Sequence, residues 1–119
     1  MELQHPLTKQ TVYRRVHQDG REISTEVSEG EVDMTQQQQD AYKSIIGDAN
    51  ASVTVSRTLS HKDYGSGGDV FVSITLKCDQ SGQGLATAVE YAKQLAETKA
   101  WEHLDQLRSQ LIQRGVLKQ

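Results

Sequence analysis

The chain has 119 residues, 35% apolar and 24% charged, with a net charge of −3. That is enough for one domain with a thin core, and too acidic for a protein that coats duplex nucleic acid by overall charge. No run approaches the ~20 apolar residues of a membrane helix, so no membrane partner is expected. The opening Met-Glu-Leu-Gln-His-Pro lacks the basic and apolar regions of a secretory signal. The single Cys excludes an internal disulfide and fits a reducing, cytoplasmic setting.

Residues 1–10 read as an irregular arm, because Pro6 prevents a helix there. A single α+β domain is expected over 11–119. Residues 11–28 predict a β-hairpin closed by Asp19-Gly20, the pair that suits a type I′ turn with two positive φ angles. Closing the turn there pairs His17 with Glu22, Val16 with Ile23 and Val12 with Val27. One face then carries Val12, Val16, Ile23 and Val27, and the other Tyr13, Arg15, His17, Ser24 and Glu26.

Thr35 and Gln38 match a capping box at the start of a short helix, with Ala41, Tyr42, Ile45 and Ile46 as its apolar stripe and Gly47 as its stop. Val53, Val55 and Leu59 mark a third strand. Val70, Val72, Ile74, Leu76 and Cys78 mark a fourth, with the clearest alternation in the chain. Ser60 to Asp69, with its Gly-rich centre, reads as a flexible ten-residue connection. A long helix is expected over 85–114, ended by Gly115. The whole predicts an α+β fold of order ββαββα, an antiparallel sheet with a short helix and a long C-terminal helix packed on one face.

The residues predict no enzyme and no cofactor. The four histidines, His5, His17, His61 and His103, lack metal-ligand spacing, so no metal site is expected. Cys78 closes the inward face of its strand and reads as a small buried hydrophobe. Gly82-Gln83-Gly84 sits between strand and helix, where phosphates are often held. It lacks the third spaced glycine and any Gly-Lys-Ser/Thr, and reads as a plain turn.

Two functions are carried forward. The first is a non-catalytic protein-binding module, an inhibitor, adaptor or assembly subunit, acting as a homodimer through the distal helix over 100–114. Its interface would use Trp101, Leu104, Leu107, Leu111 and Ile112, since a helix of some 45 Å is expected to outrun the sheet it covers. The alternative is a single-stranded nucleic-acid binder on the second sheet face and the Gly-rich loop. It would use Tyr13, Arg15, His17, Arg57, Lys62, Tyr64, Phe71 and Lys77, where aromatics stack on bases and cations meet phosphates.

Overall fold

The computed structural model describes residues 7–118. The elements are β1 (Thr8–Gln18), β2 (Arg21–Gly30), α1 (Gln36–Lys43), β3 (Ala51–Asp63), β4 (Ser66–Cys78) and α2 (Gly82–Gln113). The ββαββα order is therefore present. The four strands form one antiparallel sheet in the order β2-β1-β4-β3, so the two hairpins join through β1 and β4. Residues 1–6 of the expected arm lie outside the described residues. Its last three, Thr8, Lys9 and Gln10, are strand, because each has a partner on β4.

Both hairpins close in the same way. Asp19 and Gly20 have φ of 54° and 80°, and Tyr64 and Gly65 have φ of 52° and 82°. Two consecutive positive φ values match the right-handed twist of the strands they join. The expected ten-residue loop is thus a two-residue turn, with β3 and β4 paired as far as Asp63 and Ser66. The two tips also meet. The Gly20 N–H donates to the Gly65 carbonyl at 3.0 Å, and the Asp19 N–H to Ser66 Oγ at 3.1 Å. A β-branched residue resists positive φ, so Gly20→Val should lower stability by about 1–2 kcal/mol. A thermal melt checks this, and an unchanged midpoint would contradict it.

The first hairpin departs from simple alternation. A bulge between Val16 and His17 places Val16 opposite Ser24, Val12 opposite Ser28 and Tyr13 opposite Val27. Val12 and Val16 stay inward, buried to 2% and 4% exposure, but Ile23 and Val27 do not share their shelter and are each 53% exposed. One extra residue in β2 moves Val27 to the face of Tyr13. The physical reason is coverage. α2 lies over β3 and β4, and all ten residues of β2 are exposed, so an inward valine on β2 would have nothing to pack against.

The helices follow their end signals. Thr35 and Gln38 form the reciprocal capping box, with the Gln38 N–H donating to Thr35 Oγ1 at 3.2 Å and the Thr35 N–H to Gln38 Oε1 at 2.9 Å. Ser81 caps α2, which begins three residues before the expected start, its Oγ accepting from the Gly84 N–H at 3.0 Å. At the far end the Val116 N–H donates to the Leu111 carbonyl at 2.9 Å and the Gly115 N–H to the Ile112 carbonyl at 3.1 Å. This crossed pair is a Schellman motif around Gly115, whose φ is 78°.

The core lies between the sheet and α2. Val70, Val72, Ile74, Leu76 and Cys78 of β4 meet Ala88, Ala92, Leu95, Ala96, Ala100, Leu104, Leu107 and Leu111 of α2, all buried. Alanines along the first half of the stripe let the helix lie close to the sheet, and leucines fill the wider second half. At 32 residues α2 is about 48 Å long. The 13-residue strands run about 43 Å. The helix is longer than the strands by only about one turn, and Leu107 and Leu111 still pack over Gly68 of β4.

Candidate nucleic-acid interface

With Val12, Val16, Val70 and Val72 turned towards α2, the residues between them point to the opposite face. The register sets them in rows across the sheet. Val27, Tyr13, Phe71 and Thr58 form one row, and Thr25, Arg15, Asp69 and Ser60 the next. Beyond these come Thr11, Ser73 and Ser56, and then Lys9, Thr75 and Thr54. Hydroxyls dominate the edges, and Thr54 and Thr75 hydrogen-bond at 2.8 Å.

The centre is aromatic. Tyr13 and Phe71 meet edge to face with centroids 5.7 Å apart and planes at 68°, and the Arg15 guanidinium lies 6.0 Å from the Tyr13 ring centre. Tyr13, Arg15, Thr58, Ser60, Lys62, Asp69 and Phe71 enclose a shallow cavity of about 250 Å³. Its one carboxylate, Asp69, is held by Lys62 Nζ at 3.2 Å, with His17 Nδ1 at 3.6 Å. Partial burial opposes the charged form of Asp69, but the Ser60 hydroxyl, the Lys62 ammonium and the charge of His17 outweigh it and hold the carboxyl below its ordinary value. Asp69 therefore remains an anion that fixes Lys62 beside the aromatic pair.

Of the residues expected at this face, Tyr13, Arg15, His17, Lys62, Phe71 and Lys77 share it. Arg57 does not. It lies on the helix side of β3 and pairs with Glu97 of α2 at 2.8 Å. Tyr64 stands at the hairpin tip, 98% exposed. The Gly-rich stretch is paired strand rather than a loop, and it contributes no mobile flap.

The residues expected at a helix interface divide as well. Leu104, Leu107 and Leu111 are buried against the molecule's own sheet at 6%, 4% and 1% exposure, and Ile112 is half-buried. Trp101 alone is largely open, at 48%, with its Nε1–H donating to Glu97 Oε1 at 3.0 Å.

Residues without an expected role also stand out. Arg14, on the helix side of β1 between Val12 and Val16, donates from Nε to His103 Nδ1 at 3.2 Å and from Nη2 to Gln106 Oε1 at 2.6 Å. An arginine set between the two inward valines of β1 was the available signal. Burial and the Arg14 charge push the His103 pKa below its ordinary value. The unfolded chain therefore binds a proton at His103 more readily than the fold does. Stability should fall as pH drops through the ordinary histidine value, and should level off below the depressed folded value. Urea titrations across that window check this, and His103→Gln should remove the dependence.

Cys78 is fully buried. Burial, then the charges of Asp79 and Asp48, push its thiol up, the reverse of an activated nucleophile. At the Gly82–Gly84 turn the Gly84 N–H is already taken by Ser81, and Asp79 lies directly against it. Tyr42 is placed as a structural anchor, its hydroxyl donating to the Lys77 carbonyl at 2.6 Å and lying 3.1 Å from the Leu7 carbonyl. Burial pushes its pKa up to about 12. Among the described residues no three His, Cys, Asp or Glu side chains stand together as metal ligands. A separate groove of about 930 Å³ lies between α1 and Val32, and its wall includes Leu7, where the described residues begin.

No family model matches the chain, and neither a curated protein nor a solved structure matches it.

Proposed function

We propose that this chain is a non-catalytic binding module that holds a single-stranded nucleic acid on the open face of its sheet. The observation that carries the reading is the convergence of Tyr13, Phe71, Arg15 and Lys62 around one shallow cavity on an uncovered face. Ring faces stack on any base, and the flanking cations and hydroxyls reach the sugar-phosphate strand. Lys9 and Lys77 extend the basic character along the same face. The overall charge of −3 keeps such binding local, and its salt dependence comes from the few cations of this face, each of which releases counterions when it meets a phosphate.

The test is fluorescence anisotropy with a labelled single-stranded oligonucleotide at two salt concentrations. Binding should weaken as salt rises, and Tyr13→Ala with Arg15→Ala should weaken it about tenfold or more. Absence of binding by the folded protein at low salt would overturn the reading.

The protein-binding reading keeps one supporting observation, the exposed indole of Trp101 on the flank of α2. With Leu104, Leu107 and Leu111 committed to the core, a symmetric contact along the distal helix has little apolar surface left.

A further inference from the structure

Among the described residues, both outer strands of the sheet leave one edge unpaired, and the two edges differ in charge. β2 carries Glu22, Glu26 and Glu29 against Arg21, whereas β3 carries Arg57, His61 and Lys62 against Asp63. Pairing β2 with another β2 sets carboxylates against carboxylates, which is destabilising. Pairing β2 with β3 of a second copy can set Glu26 against Arg57 and bring Glu22 near His61 and Lys62.

The polarity allows it. Neighbouring strands are all antiparallel, so β2 and β3 of one copy run in opposite directions. A second copy shifted sideways along the sheet brings its β3 antiparallel to the first copy's β2, with both helices on the same side. Faces also match. Arg57 is on the helix side, as its bond to Glu97 shows. So is Glu26, which stands opposite Arg14. With these two facing each other, Leu59 falls opposite Ser24 and Val55 opposite Ser28.

The exposed apolar side chains mark the same two edges. Ile23 and Val27 lie on β2, and Trp101 is tied through Glu97 to the β3 side of α2. Of the four large hydrophobic residues left open among the described residues, only Tyr64 lies elsewhere, at a turn.

We propose that copies of this chain join head to tail, β2 of one adding to β3 of the next, in one continuous antiparallel sheet. Such a contact is heterologous, so it builds a ring where the rotation closes and a filament where it does not. It also covers Trp101 and lines up the open faces of successive copies. The assembly stands independently of the nucleic-acid reading, and its test contains no oligonucleotide.

The experiment is sedimentation velocity from low to high micromolar concentration at low salt, with the emission of the single Trp as a second readout. Species heavier than the 13.3 kDa monomer should grow with concentration, and the emission should shift to the blue as Trp101 is covered. Glu26→Arg and Arg57→Glu should each weaken association about tenfold or more. Mixing these two variants should restore it, because the new arginine meets the new glutamate and each variant keeps one native edge. Restoration on mixing is the signature of a head-to-tail contact. Arg57→Glu with Glu97→Lys preserves the local ion pair in reversed form, and Glu22→Arg is the second β2 variant. Both should repeat the loss with an intact fold. A monomer at every concentration, a Glu26→Arg protein that assembles like the wild type, or a mixture as weak as its components would each overturn the proposal.

Discussion

Gly67→Ala should cost about 3 kcal/mol or more and lower the melting temperature by roughly 10–15 °C. Gly67 sits inside β4, paired with His17 on one side and Lys62 on the other. Its φ is +150°, a conformation that side chains rarely adopt, and a methyl group there would overlap the His61 carbonyl oxygen and lie 2.7 Å from Lys62 Cα. Both obstacles are backbone, held in place by the β3–β4 ladder, so relief requires strands to part. Gly68 is the informative neighbour. An added methyl there meets the side chains of Leu107 and Leu111, which can turn aside. Gly68→Ala should cost less, about 1–2 kcal/mol. Thermal melts of the two variants rank them, and a Gly67→Ala protein that melts within a few degrees of wild type would show that β3 and β4 do not run paired to their shared turn.

The same glycines show where the sequence stops being legible. Strands and helices announced themselves wherever apolar residues alternate or recur, as in Val70 to Cys78 and in Ala88 to Leu111. The end of the second hairpin has no such pattern. His61, Lys62 and Asp63 face Ser66, Gly67 and Gly68, and a run without hydrophobic period looks like a loop. The missed signal was Tyr64-Gly65, a non-glycine and glycine pair that takes the same two positive φ angles as Asp19-Gly20. In the first hairpin, alternation along β2 states the pattern but not the pairing, because periodicity fixes which residues share a face within one strand. A bulge between strands changes that relation without leaving a mark in either.

The functional face was partly legible for the same reason. Tyr13, Arg15 and His17 alternate along β1, and Phe71 and Lys77 along β4, so each strand presented its half of the face before the halves were joined. Joining them took the β1–β4 register, which no local pattern states. Asp69, the carboxylate that holds Lys62 in place, lies in the run without hydrophobic period, where nothing marks it as part of a site. Along α2, helical periodicity grouped Leu104, Leu107 and Leu111 correctly but did not say whose surface they cover. That depended on strand length, and the strands extend further than the apolar residues alone suggested.

Leu111→Glu should therefore leave little or no folded protein, whereas Trp101→Ala should cost only about 1–2 kcal/mol. Leu111 is 1% exposed and packs over Gly68 near the end of α2, and its carbonyl accepts the Val116 and Leu117 N–H groups of the terminal turn. Truncating such a leucine to alanine typically costs 2–5 kcal/mol. A carboxylate in the same place adds the penalty of a buried charge with no partner. A domain with a typical total of about 5–15 kcal/mol does not absorb both losses. Trp101 keeps about half its surface in water and bonds only its helical neighbour Glu97, so its removal forfeits partial burial and one surface hydrogen bond. Urea denaturation followed by far-ultraviolet circular dichroism separates the two: a native midpoint for Leu111→Glu would mean that the last turns of α2 do not lie on the sheet, while a collapse on Trp101→Ala would mean that the indole belongs to the core.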